Sequence, residues 1–479
     1  MRKTKIIATL GPSTDDPDVL RAMLKNGLDV ARFNFSHGDH EGHRKRVEDL
    51  RNLCDETGST VALLADTKGP EIRLDVFQGG CAELVSGSSF TLTNSAVTGD
   101  ASRVGISYAN LSREVSPGTR ILLDDGLIEL LVEAVTGTDV TTRVITGGTI
   151  SDRKGVNVPG VRLDLPYISG KDRLDLRFFV ENGFDFIAAS FVRSEDDIKE
   201  IREELHRIDS NNKIKIIAKI ENAEGVMNAD AILAASDGLM VARGDLGVEL
   251  AYEELPIIQK DLIKKCMSQG KPVITATQML ESMINNQRPT RAETSDVANA
   301  IYDGTSAIML SGETAVGKHP VEAVTTMAKI ALRIERSIDY HERFLRREHK
   351  AETSVTNAIS HATVTTAHDL RSAAILTVTI SGNTARNVAR FRPGSLIIAC
   401  TPDPVVQRQL KLVWGVVTLL MKTEPDTAAL FNHAVEAALA GGYVCDGDLV
   451  VLTAGIPTGY SGTTNMLKVH VVGEKVLVS

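Results

Sequence analysis

Short runs of aliphatic and β-branched residues recur along the first 310 residues, and amphipathic stretches separate most of them. Apolar runs without polar alternation are typical of parallel strands that are buried on both faces. Eight such strands are predicted, over residues 4–10, 29–36, 60–67, 185–192, 214–221, 238–244, 272–277 and 306–310. Helical spacing predicts helices over residues 16–26, 40–56, 171–182, 194–207, 253–269 and 291–302. Because eight alternating strands close a barrel, the pattern predicts an α/β fold of the (β/α)8, or TIM-barrel, type.

Segment 70–167 interrupts this alternation between the third and fourth strands. It contains glycine-rich turns and strand-like runs, such as residues 120–135 and 139–150, with little helical periodicity. A domain inserted in a barrel loop accounts for the segment, because surface loops tolerate insertions. We therefore expect an all-β domain, a β-barrel lid, over residues 70–167 and a catalytic barrel domain over residues 1–69 and 168–345.

A third pattern begins after the charge-dense segment 341–353. A predicted helix there leads into predicted strands near residues 373–379, 395–400, 415–420, 447–453 and 467–473. This pattern indicates a C-terminal α/β sandwich domain over residues 346–479, after which we expect no further domain. Three domains also suit a chain of 479 residues, at a typical size of about 150 residues each.

Composition bears on partners and compartment. The formal net charge of −9 argues against a nucleic-acid-binding protein, which needs a basic face, but it permits a locally basic site for an anionic substrate. The five cysteines are scattered without a C-x-x-C pair, so we expect neither a disulfide framework nor a cysteine zinc site. No apolar stretch approaches the ~18 residues of a membrane span, and the basic N-terminus is not followed by a signal-peptide core. We expect a cytoplasmic protein that binds neither membranes nor nucleic acid.

Catalytic residues of such barrels lie at the carboxyl ends of the strands. Six of the predicted strands end in polar or charged side chains that we single out. They are Arg32, Asn34 and Ser36 on strand two, Asp66, Thr67, Glu71 and Arg73 after strand three, Lys219 and Glu221 on strand five, Arg243, Gly244 and Asp245 on strand six, Thr275, Thr277 and Gln278 on strand seven, and Ser311 and Glu313 after strand eight.

Lys219 and Glu221 lie two residues apart on a strand, so their side chains share one face. Alone they fit a structural ion pair, but Asp245 at the neighbouring strand end adds a second carboxylate. Two carboxylates, completed by substrate oxygens and water, make a site suited to Mg²⁺. Gly244 permits the backbone to approach a ligand closely and equally fits an ordinary turn.

Arg32 stands in an otherwise apolar run, where an unpaired charge is costly. It either bridges to a barrel carboxylate or binds a phosphate with its planar guanidinium. Asn34, Ser36 and Asp66 either cap local turns or together hold a monovalent cation. The singled-out residues include no Ser-His-Asp or Cys-His arrangement. Their cations, carboxylates and hydroxyls suit phosphoryl transfer, which relies on positioning and on neutralising negative charge.

Eight segments of the chain resemble pyruvate kinase, and the match runs essentially end to end. They are KTKIIATLGPS, ARFNFSHG, DTKGPEIR, KGVNVPG, AKIENAEG, ARGDLGVE, ITATQMLESM and MLSGETAVGKHP, in the order and spacing of that family. The resemblance implies transfer of the phosphoryl group of phosphoenolpyruvate to ADP, giving pyruvate and ATP, the last step of glycolysis. It also implies Mg²⁺ (or Mn²⁺) and K⁺ as cofactors, allosteric regulation and a homotetramer.

The resemblance assigns roles to the matching residues on the substrate side. Glu221 and Asp245 would bind the divalent metal, and Lys219 would stabilise the phosphoryl group in transfer and the enolate. The substrate-binding set would be Arg32, Lys219, Ala242, Gly244, Asp245 and Thr277. Thr277, with Ser311 and Glu313, would relay the proton to the enolate, although a threonine there also fits plain strand propensity.

On the nucleotide side, the resemblance points to Arg73 for the nucleotide phosphates and to the lid. The nucleotide-binding set would be Asn34, His37, Arg73 and Lys154. Asp125 of the lid would approach the metal. The potassium ligands would be Asn34, Ser36, Asp66 and Thr67. The resemblance also implies that family members that need no potassium carry Lys where this chain has Glu71, because the lysine side chain replaces the cation. Since this chain has Glu71, we predict potassium dependence.

The last domain resembles the regulatory domain of the family. Its predicted strand and helix flank a small polar loop formed by Thr379, Ser381, Gly382, Asn383 and Thr384. The loop fits a cradle for the phosphate of an allosteric effector at the helix N-terminus. It equally fits a helix that is simply capped by Ser381 or Thr384.

Two other functions fit parts of the sequence. A Mg²⁺-dependent lyase that forms an enolate of pyruvate would share Glu221 and Asp245, but it would explain neither the inserted lid nor Arg73. A catalytically inactive metabolite sensor would explain the last domain, but it would not need Lys219 or Thr277.

Overall fold

A computed structural model of the chain describes residues 1–346, 354–422, 424, 426–457 and 463–474. The barrel begins with β1 (Lys5–Thr9), α1 (Pro17–Lys25), β2 (Val30–Asn34), α2 (His40–Thr57) and β3 (Ala62–Asp66). Local signals set the helix ends: the Asp39 side chain accepts a hydrogen bond from Gly42 N at the start of α2, and Gly58, at φ 63°, ends it. The three strands are almost wholly buried, as their continuous apolar pattern predicted.

A β-rich lid separates β3 from the next barrel strand. Its elements are β4 (Ile72–Arg73), β5 (Cys81–Leu84), β6 (Ser89–Thr93), β7 (Arg103–Gly105), α3 (Leu111–Glu114), β8 (Arg120–Leu123), β9 (Ile128–Thr136), β10 (Asp139–Thr146), β11 (Gly148–Ser151) and β12 (Gly155–Asn157). Seven strands pair in the order β4-β12-β8-β9-β10-β6-β7, and β5 pairs with β11. A bridge between Leu74 and Ile106 joins the two edges, so the sheet curls around its own apolar core.

The second part of the barrel alternates strands and helices again. Its elements are α4 (Gly170–Glu181), β13 (Phe186–Ala189), α5 (Glu195–Ile208), β14 (Lys215–Ile220), α6 (Ala223–Met227), α7 (Ala229–Ala235), β15 (Gly238–Ala242), α8 (Arg243–Glu249), α9 (Leu255–Gln269), β16 (Val273–Ala276), α10 (Arg291–Asp303), β17 (Ala307–Leu310), α11 (Gly312–Ala315) and α12 (Pro320–Glu335). The eight barrel strands are parallel and close in the order β1-β17-β16-β15-β14-β13-β3-β2. The predicted (β/α)8 barrel is confirmed.

The C-terminal part is a five-stranded sheet with helices on both faces. Its elements are α13 (Tyr340–Arg346), α14 (Val355–Asp369), β18 (Ala374–Val378), α15 (Asn383–Ala389), β19 (Leu396–Thr401), α16 (Pro404–Gln409), β20 (Val416–Leu420), α17 (Thr427–Ala440), β21 (Leu449–Ala454) and β22 (Met466–Val471). The order is β20-β19-β18-β21-β22, and only β22 is antiparallel to its neighbour. Separate apolar clusters lie on the two faces, which confirms the predicted α/β sandwich.

Two further expectations concern the charged segment before the last domain and membrane-spanning helices. The charged segment 341–353 is described only as far as Arg346, and residues 347–353 lie outside the described residues. Within the part of the chain that the structure describes, no helix combines the length and the apolar character that crossing a membrane requires.

Candidate active site

Four side chains singled out from the sequence meet at the carboxyl ends of the barrel strands. Arg32 on β2 donates from Nε to Asp66 Oδ2 at 2.7 Å, and Asp66 ends β3. Lys219 Nζ on β14 lies 3.0 Å from Asp66 Oδ1 and 2.9 Å from Glu221 Oε1. Parallel pairing of neighbouring strands brings these ends to one mouth of the barrel. Of the two alternatives for Arg32, the bridge to a barrel carboxylate is therefore present.

Opposite charges hold Asp66 and Lys219 ionised despite their burial. Burial alone would raise the pKa of Asp66, but the charges of Arg32 and Lys219 and their hydrogen bonds hold it below its ordinary value. Burial would likewise lower the pKa of Lys219, but Asp66, Glu221 and Asp245 outweigh it and raise that pKa. Lys219 is accordingly a firmly charged ammonium at neutral pH.

Carboxylates outnumber cations on the side that faces the lid. Burial, reinforced by the charge of Asp245 and opposed by Lys219, raises the pKa of Glu221 to about 8. Burial together with Asp245 and Asp124 also raises the pKa of Asp125, which the lid presents towards the barrel. Mutual repulsion among these carboxylates indicates a place that lacks a positive charge.

The same carboxylates fit a divalent metal. Glu221 is 2 % exposed, and its Oε1 forms an ion pair with Lys219 Nζ at 2.9 Å without the alignment of a hydrogen bond. Asp245 follows on the first turn of α8. The described residues contain no group of three or more His, Cys, Asp or Glu side chains suited to a metal. Two carboxylates suit an ion such as Mg²⁺, which keeps waters and takes substrate oxygens as further ligands.

Short helix α8 holds the substrate-side residues against the end of β16. β15 stops at Ala242, so the predicted strand 238–244 was two residues too long, and Gly244 and Asp245 belong to the helix. Gly244 N donates to Thr277 Oγ1 at 2.8 Å. Thr277 has a left-handed φ of 67°, which is rare for a β-branched residue and typical of functional sites. This strained geometry argues for more than strand propensity at Thr277.

Sequence reasoning missed two hydroxyls that hold the active-site cations. Lys219 Nζ donates to Ser190 Oγ at 2.7 Å, and Arg32 donates from Nη1 to Thr9 Oγ1 at 2.8 Å. Ser190 follows β13 and Thr9 ends β1, which are the two strand ends not searched for polar residues. Reading all eight strand ends would have found them, because the signal is a polar residue directly after an apolar strand.

Of the candidate nucleotide residues, Arg73 lines an open cleft on the lid. Arg73 donates from Nε to Glu71 Oε2 at 2.8 Å and from Nη1 to Arg153 O at 2.7 Å. Both residues border an open cleft of about 690 Å³. Lys154 Nζ pairs with Asp124 Oδ1 at 2.7 Å. His37 is exposed beside the ends of β2 and β3. The cleft is therefore lined by the cations Lys68, Arg73 and Arg153, and Glu71 is engaged in orienting Arg73.

The candidate potassium ligands are neighbours, and their oxygens are partly engaged. Asn34 pairs in register with Asp66 across β2 and β3. Asn34 Oδ1 accepts a hydrogen bond from Ser36 N at 3.1 Å, which is the turn-capping alternative. Thr67 O accepts from Ser190 Oγ at 2.6 Å. Both Asp66 oxygens face Arg32 and Lys219.

Glu313 lies behind the site and fixes its backbone. Its two carboxylate oxygens accept from Leu280 N at 3.1 Å and from Ser311 N at 2.7 Å, and the side chain is buried. Burial raises the pKa of Glu313. Thr277 Oγ1 bonds to Ala276 O and Gly244 N, and no direct hydrogen bond from it to Ser311 or Glu313 is found in the described chain.

The polar loop of the C-terminal domain is largely occupied by its own contacts. Thr379 Oγ1 accepts from Gly382 N at 3.0 Å, and Thr384 Oγ1 shares a hydrogen bond with Thr464. Arg386 Nη2 donates to Ser381 O and to Asn383 Oδ1 at 2.8 and 2.6 Å. Neither Ser381 nor Thr384 caps α15, whose N-cap is Gly382 at φ 80° and makes no side-chain hydrogen bond. The capped-helix alternative is wrong in that detail.

Comparisons with known proteins identify the family to which the chain belongs. The family described as "Pyruvate kinase, barrel domain" matches residues 1–324, and "Pyruvate kinase, alpha/beta domain" matches residues 357–470. The chain is 52% identical to pyruvate kinase of Geobacillus stearothermophilus over 475 residues, covering 99% of this chain and 81% of the relative. It is 49% identical to that of Sporosarcina psychrophila, with the same coverage of each chain.

A solved structure shows the same architecture. The crystal structure of a pyruvate kinase from Cryptosporidium parvum superposes with a TM-score of 0.93 at 39% sequence identity, covering 98% of this chain and 96% of that one. Family matches over both the barrel and the α/β domain, together with near-complete coverage by relatives, leave one assignment. The chain belongs to the pyruvate kinase family.

Proposed function

We propose that the chain transfers the phosphoryl group of phosphoenolpyruvate to ADP at the barrel mouth, with Lys219 as the cation at the centre of the reaction. The convergence of Arg32 and Lys219 on Asp66, beside Glu221, carries the proposal. Two fixed cations next to a carboxylate-lined metal position match what transfer of a phosphoryl group needs.

Binding is proposed to use groups that are already oriented. Arg32, held by Asp66 and Thr9, receives the phosphate of phosphoenolpyruvate, and Ala242, Gly244 and Thr277 receive its carboxylate. Glu221 and Asp245 would hold a divalent ion, Mg²⁺ or Mn²⁺, whose charge would neutralise the anionic oxygens of the substrate. Preorganised donors stabilise developing charge without reorganising during the reaction.

In the transfer step, an oxygen of ADP replaces the enol oxygen as the bonding partner of phosphorus. The bond from the enol oxygen to phosphorus breaks as a terminal oxygen of ADP bonds to phosphorus, and Lys219 lies beside the charge that develops on both fragments. The enolate left behind takes a proton at its methylene carbon to give pyruvate. Thr277 lies nearest to that carbon, and Glu313, through Ser311 N and Leu280 N, fixes the backbone around it.

The nucleotide is proposed to enter between barrel and lid. Arg73, oriented by Glu71, and Lys154, paired with Asp124, supply cations for the phosphates of ADP. Asn34 and His37, at the end of β2, are proposed to contact the nucleotide from the barrel side. The lid brings Asp125 towards Asp245, as their electrostatic coupling indicates, and so shields the transferring group from water.

Replacing Lys219 with Met tests the proposal. We expect kcat to fall by ~10²–10³-fold, the scale for removing one group that stabilises the transition state. Binding of Mn²⁺, followed by its paramagnetic resonance signal, should persist because Glu221 and Asp245 remain. Lys199→Met, which removes an exposed ammonium on α5, is the control and should leave kcat unchanged. Normal turnover of the Lys219 variant would refute the assignment.

Potassium dependence is proposed from Asn34, Ser36, Asp66 and Thr67, which lie at the ends of the paired strands β2 and β3. We expect activity to rise on titration with K⁺ at constant ionic strength and to be low with tetramethylammonium as the only monovalent cation. Full activity without potassium would contradict the proposed site.

We also propose, from membership of the family, that the protein is allosterically regulated and forms a homotetramer in the cytoplasm. The loop from Thr379 to Thr384 is proposed to bind the phosphate of an effector, because Arg386 lies against it. The cytoplasmic homotetramer is proposed from membership of the family alone. Sedimentation of the purified protein tests its assembly, and a kinetic screen of sugar phosphates and nucleotides at low phosphoenolpyruvate concentration tests its regulation.

A further inference from the structure

The turn Ser190–Arg193, between β13 and α5, contacts the first of the two connections that join the lid to the barrel. Gly69 in that connection has a left-handed φ of 68° and packs directly on the turn. A Cβ atom added at Gly69 would lie 2.8 Å from Ser190 O and 3.2 Å from the Phe191 ring. Contact this close leaves no room for a side chain, so the connection and the turn cannot move independently.

The second connection is held by the same turn. Tyr167, which is buried, donates its hydroxyl to Ser190 O at 2.9 Å. The guanidinium of Arg193 donates to Leu163 O and to Leu165 O, each at 3.0 Å. Burial, with the negative charges around it, raises the pKa of Tyr167 well above its ordinary value, so its hydroxyl stays a donor. Both routes from the barrel to the lid therefore end on one four-residue turn.

The other side of the turn holds two active-site groups. Ser190 Oγ accepts from Lys219 Nζ at 2.7 Å and donates to Thr67 O at 2.6 Å. Phe191 N donates to Glu221 Oε2 at 2.6 Å. Phe191 has a left-handed φ of 54°, an unusual conformation for a bulky residue that the surrounding contacts must maintain. A small rotation of the turn would therefore change the positions of both Lys219 and Glu221.

We infer that the turn Ser190–Arg193 couples the position of the lid to the placement of Lys219 and Glu221, with Tyr167 and Arg193 as positioning residues. The inference rests on the proposed function, because it requires a nucleotide that contacts the lid and a reaction at Lys219. Packed elements transmit displacement because interiors are close-packed, and a shift of about 1 Å at a reacting group can cost 10²-fold in rate. Closure of the lid on ADP thereby completes the site.

Proton exchange into pyruvate measures this coupling without phosphoryl transfer. The enolate step in reverse exchanges the methyl protons of pyruvate for deuterium in D₂O, and nuclear magnetic resonance follows it with and without saturating ADP. In the unmodified enzyme we expect ADP to raise the exchange rate on the order of 10-fold, a size typical of coupling between sites. In Tyr167→Phe and Arg193→Lys the rates with and without ADP should coincide, and kcat should fall about 10-fold while KM for ADP changes little.

Matched variants separate coupling from general damage. Tyr302→Phe removes a phenol hydrogen bond to Ser337 on the outside of the barrel. Arg202→Lys removes a guanidinium that binds Ala235 O and Asp237 near the amino end of β15. Both controls should keep the ADP effect.

The outcomes are distinct. The inference is overturned if ADP leaves exchange unchanged in the unmodified enzyme, or if Tyr167→Phe and Arg193→Lys keep the ADP effect. If Arg193→Lys fails to fold, Tyr167→Phe decides alone, because it removes only one oxygen. Failure of the unmodified enzyme to form pyruvate from phosphoenolpyruvate and ADP would instead refute the proposed function.

Discussion

At the scale of single residues, the active site depends on shared counter-ions. Asp66 pairs with Arg32 through one oxygen and with Lys219 through the other, so one buried carboxylate orients both cations. Removing one partner of such a set leaves an uncompensated buried charge, which is why these residues act as a unit. The effect of a single substitution here will therefore reflect the disruption of the whole cluster more than the loss of the substituted side chain.

Glu71, on the nucleotide side, can be tested separately from the Asp66 cluster. Its carboxylate contacts Arg73 through both oxygens, at 2.8 Å each. Glu71→Gln keeps the shape but loses the charge, so Arg73 should be held less firmly. We expect KM for ADP to rise about 3- to 10-fold with kcat nearly constant, the pattern for a lost contact that acts equally in ground and transition states.

Steady-state kinetics with varied ADP checks this expectation. Glu129→Gln, which breaks the exposed pair of the lid with Arg120, is the control and should leave KM for ADP unchanged. A fall in kcat at unchanged KM would show that Glu71 acts on the chemical step instead.

At the scale of elements, the end of β16 is held in an unfavourable conformation by its neighbour. Thr277 and Gln278 both have left-handed φ values, 67° and 54°. Buried Arg243, at the start of α8, donates from Nε to Ala276 O at 3.1 Å and also to Thr277 O, while its Nη1 pairs with Asp296 at 2.6 Å. A planar guanidinium can satisfy three acceptors at fixed angles, which an ammonium cannot.

Arg243→Lys should therefore release this segment. We expect kcat to fall by about 10- to 10²-fold, because Thr277 and Gly244 lose their relative placement. The melting temperature should also fall, since acceptors of Arg243 stay buried without a donor. Kinetics and calorimetry check both effects against Arg202→Lys. A lower melting temperature with unchanged kcat would mean that Arg243 serves stability alone.

The elements themselves were largely predictable, and their ends were less so. Strands such as β2 and β14 are buried on both faces, so their apolar runs mark them within one or two residues. Arg243 and Gly244, the first two residues of α8, were assigned to the preceding strand, because Arg243–Glu249 has no apolar periodicity and forms through contacts with Thr277 and Asp296. Ser190 was missed because the end of its strand was not searched for polar residues, and its contact with Lys219 forms only when the fold brings that lysine to it from another strand.

At the scale of the whole molecule, the N-terminal segment ties the barrel to the C-terminal domain. Lys3 O accepts from Gly415 N at 2.8 Å, and Lys5 Nζ donates to Val416 O at 2.6 Å. Arg408 of α16 pairs with Asp185 beneath β13 at 2.8 Å. These contacts join the C-terminal sheet to the end of the barrel opposite the active site. The two domains therefore share buried charges.

Lys5 makes this junction sensitive to alkaline pH. It is 5 % exposed, and burial lowers its pKa from 10.5 to about 8, with Asp29, 4.0 Å away, and Glu335 opposing the shift and Lys411 and Arg2 adding to it. Below pH 8 the folded and unfolded chains both carry the proton, so the cost of burying the charge is fully present. Between pH 8 and 10.5 the folded chain loses the proton before the unfolded one, so this contribution to stability rises with pH.

Lys5→Met removes this titration while keeping the length of the side chain. The melting temperature of the unmodified protein should rise relative to that of the variant as pH increases from 8 to 10, whatever the other groups do, because they are common to both. Lys199→Met, whose ammonium is exposed, should follow the unmodified protein in parallel over the same range. Parallel curves for Lys5→Met would mean that Lys5 keeps an ordinary pKa in the folded chain, and that water reaches the junction between the two domains.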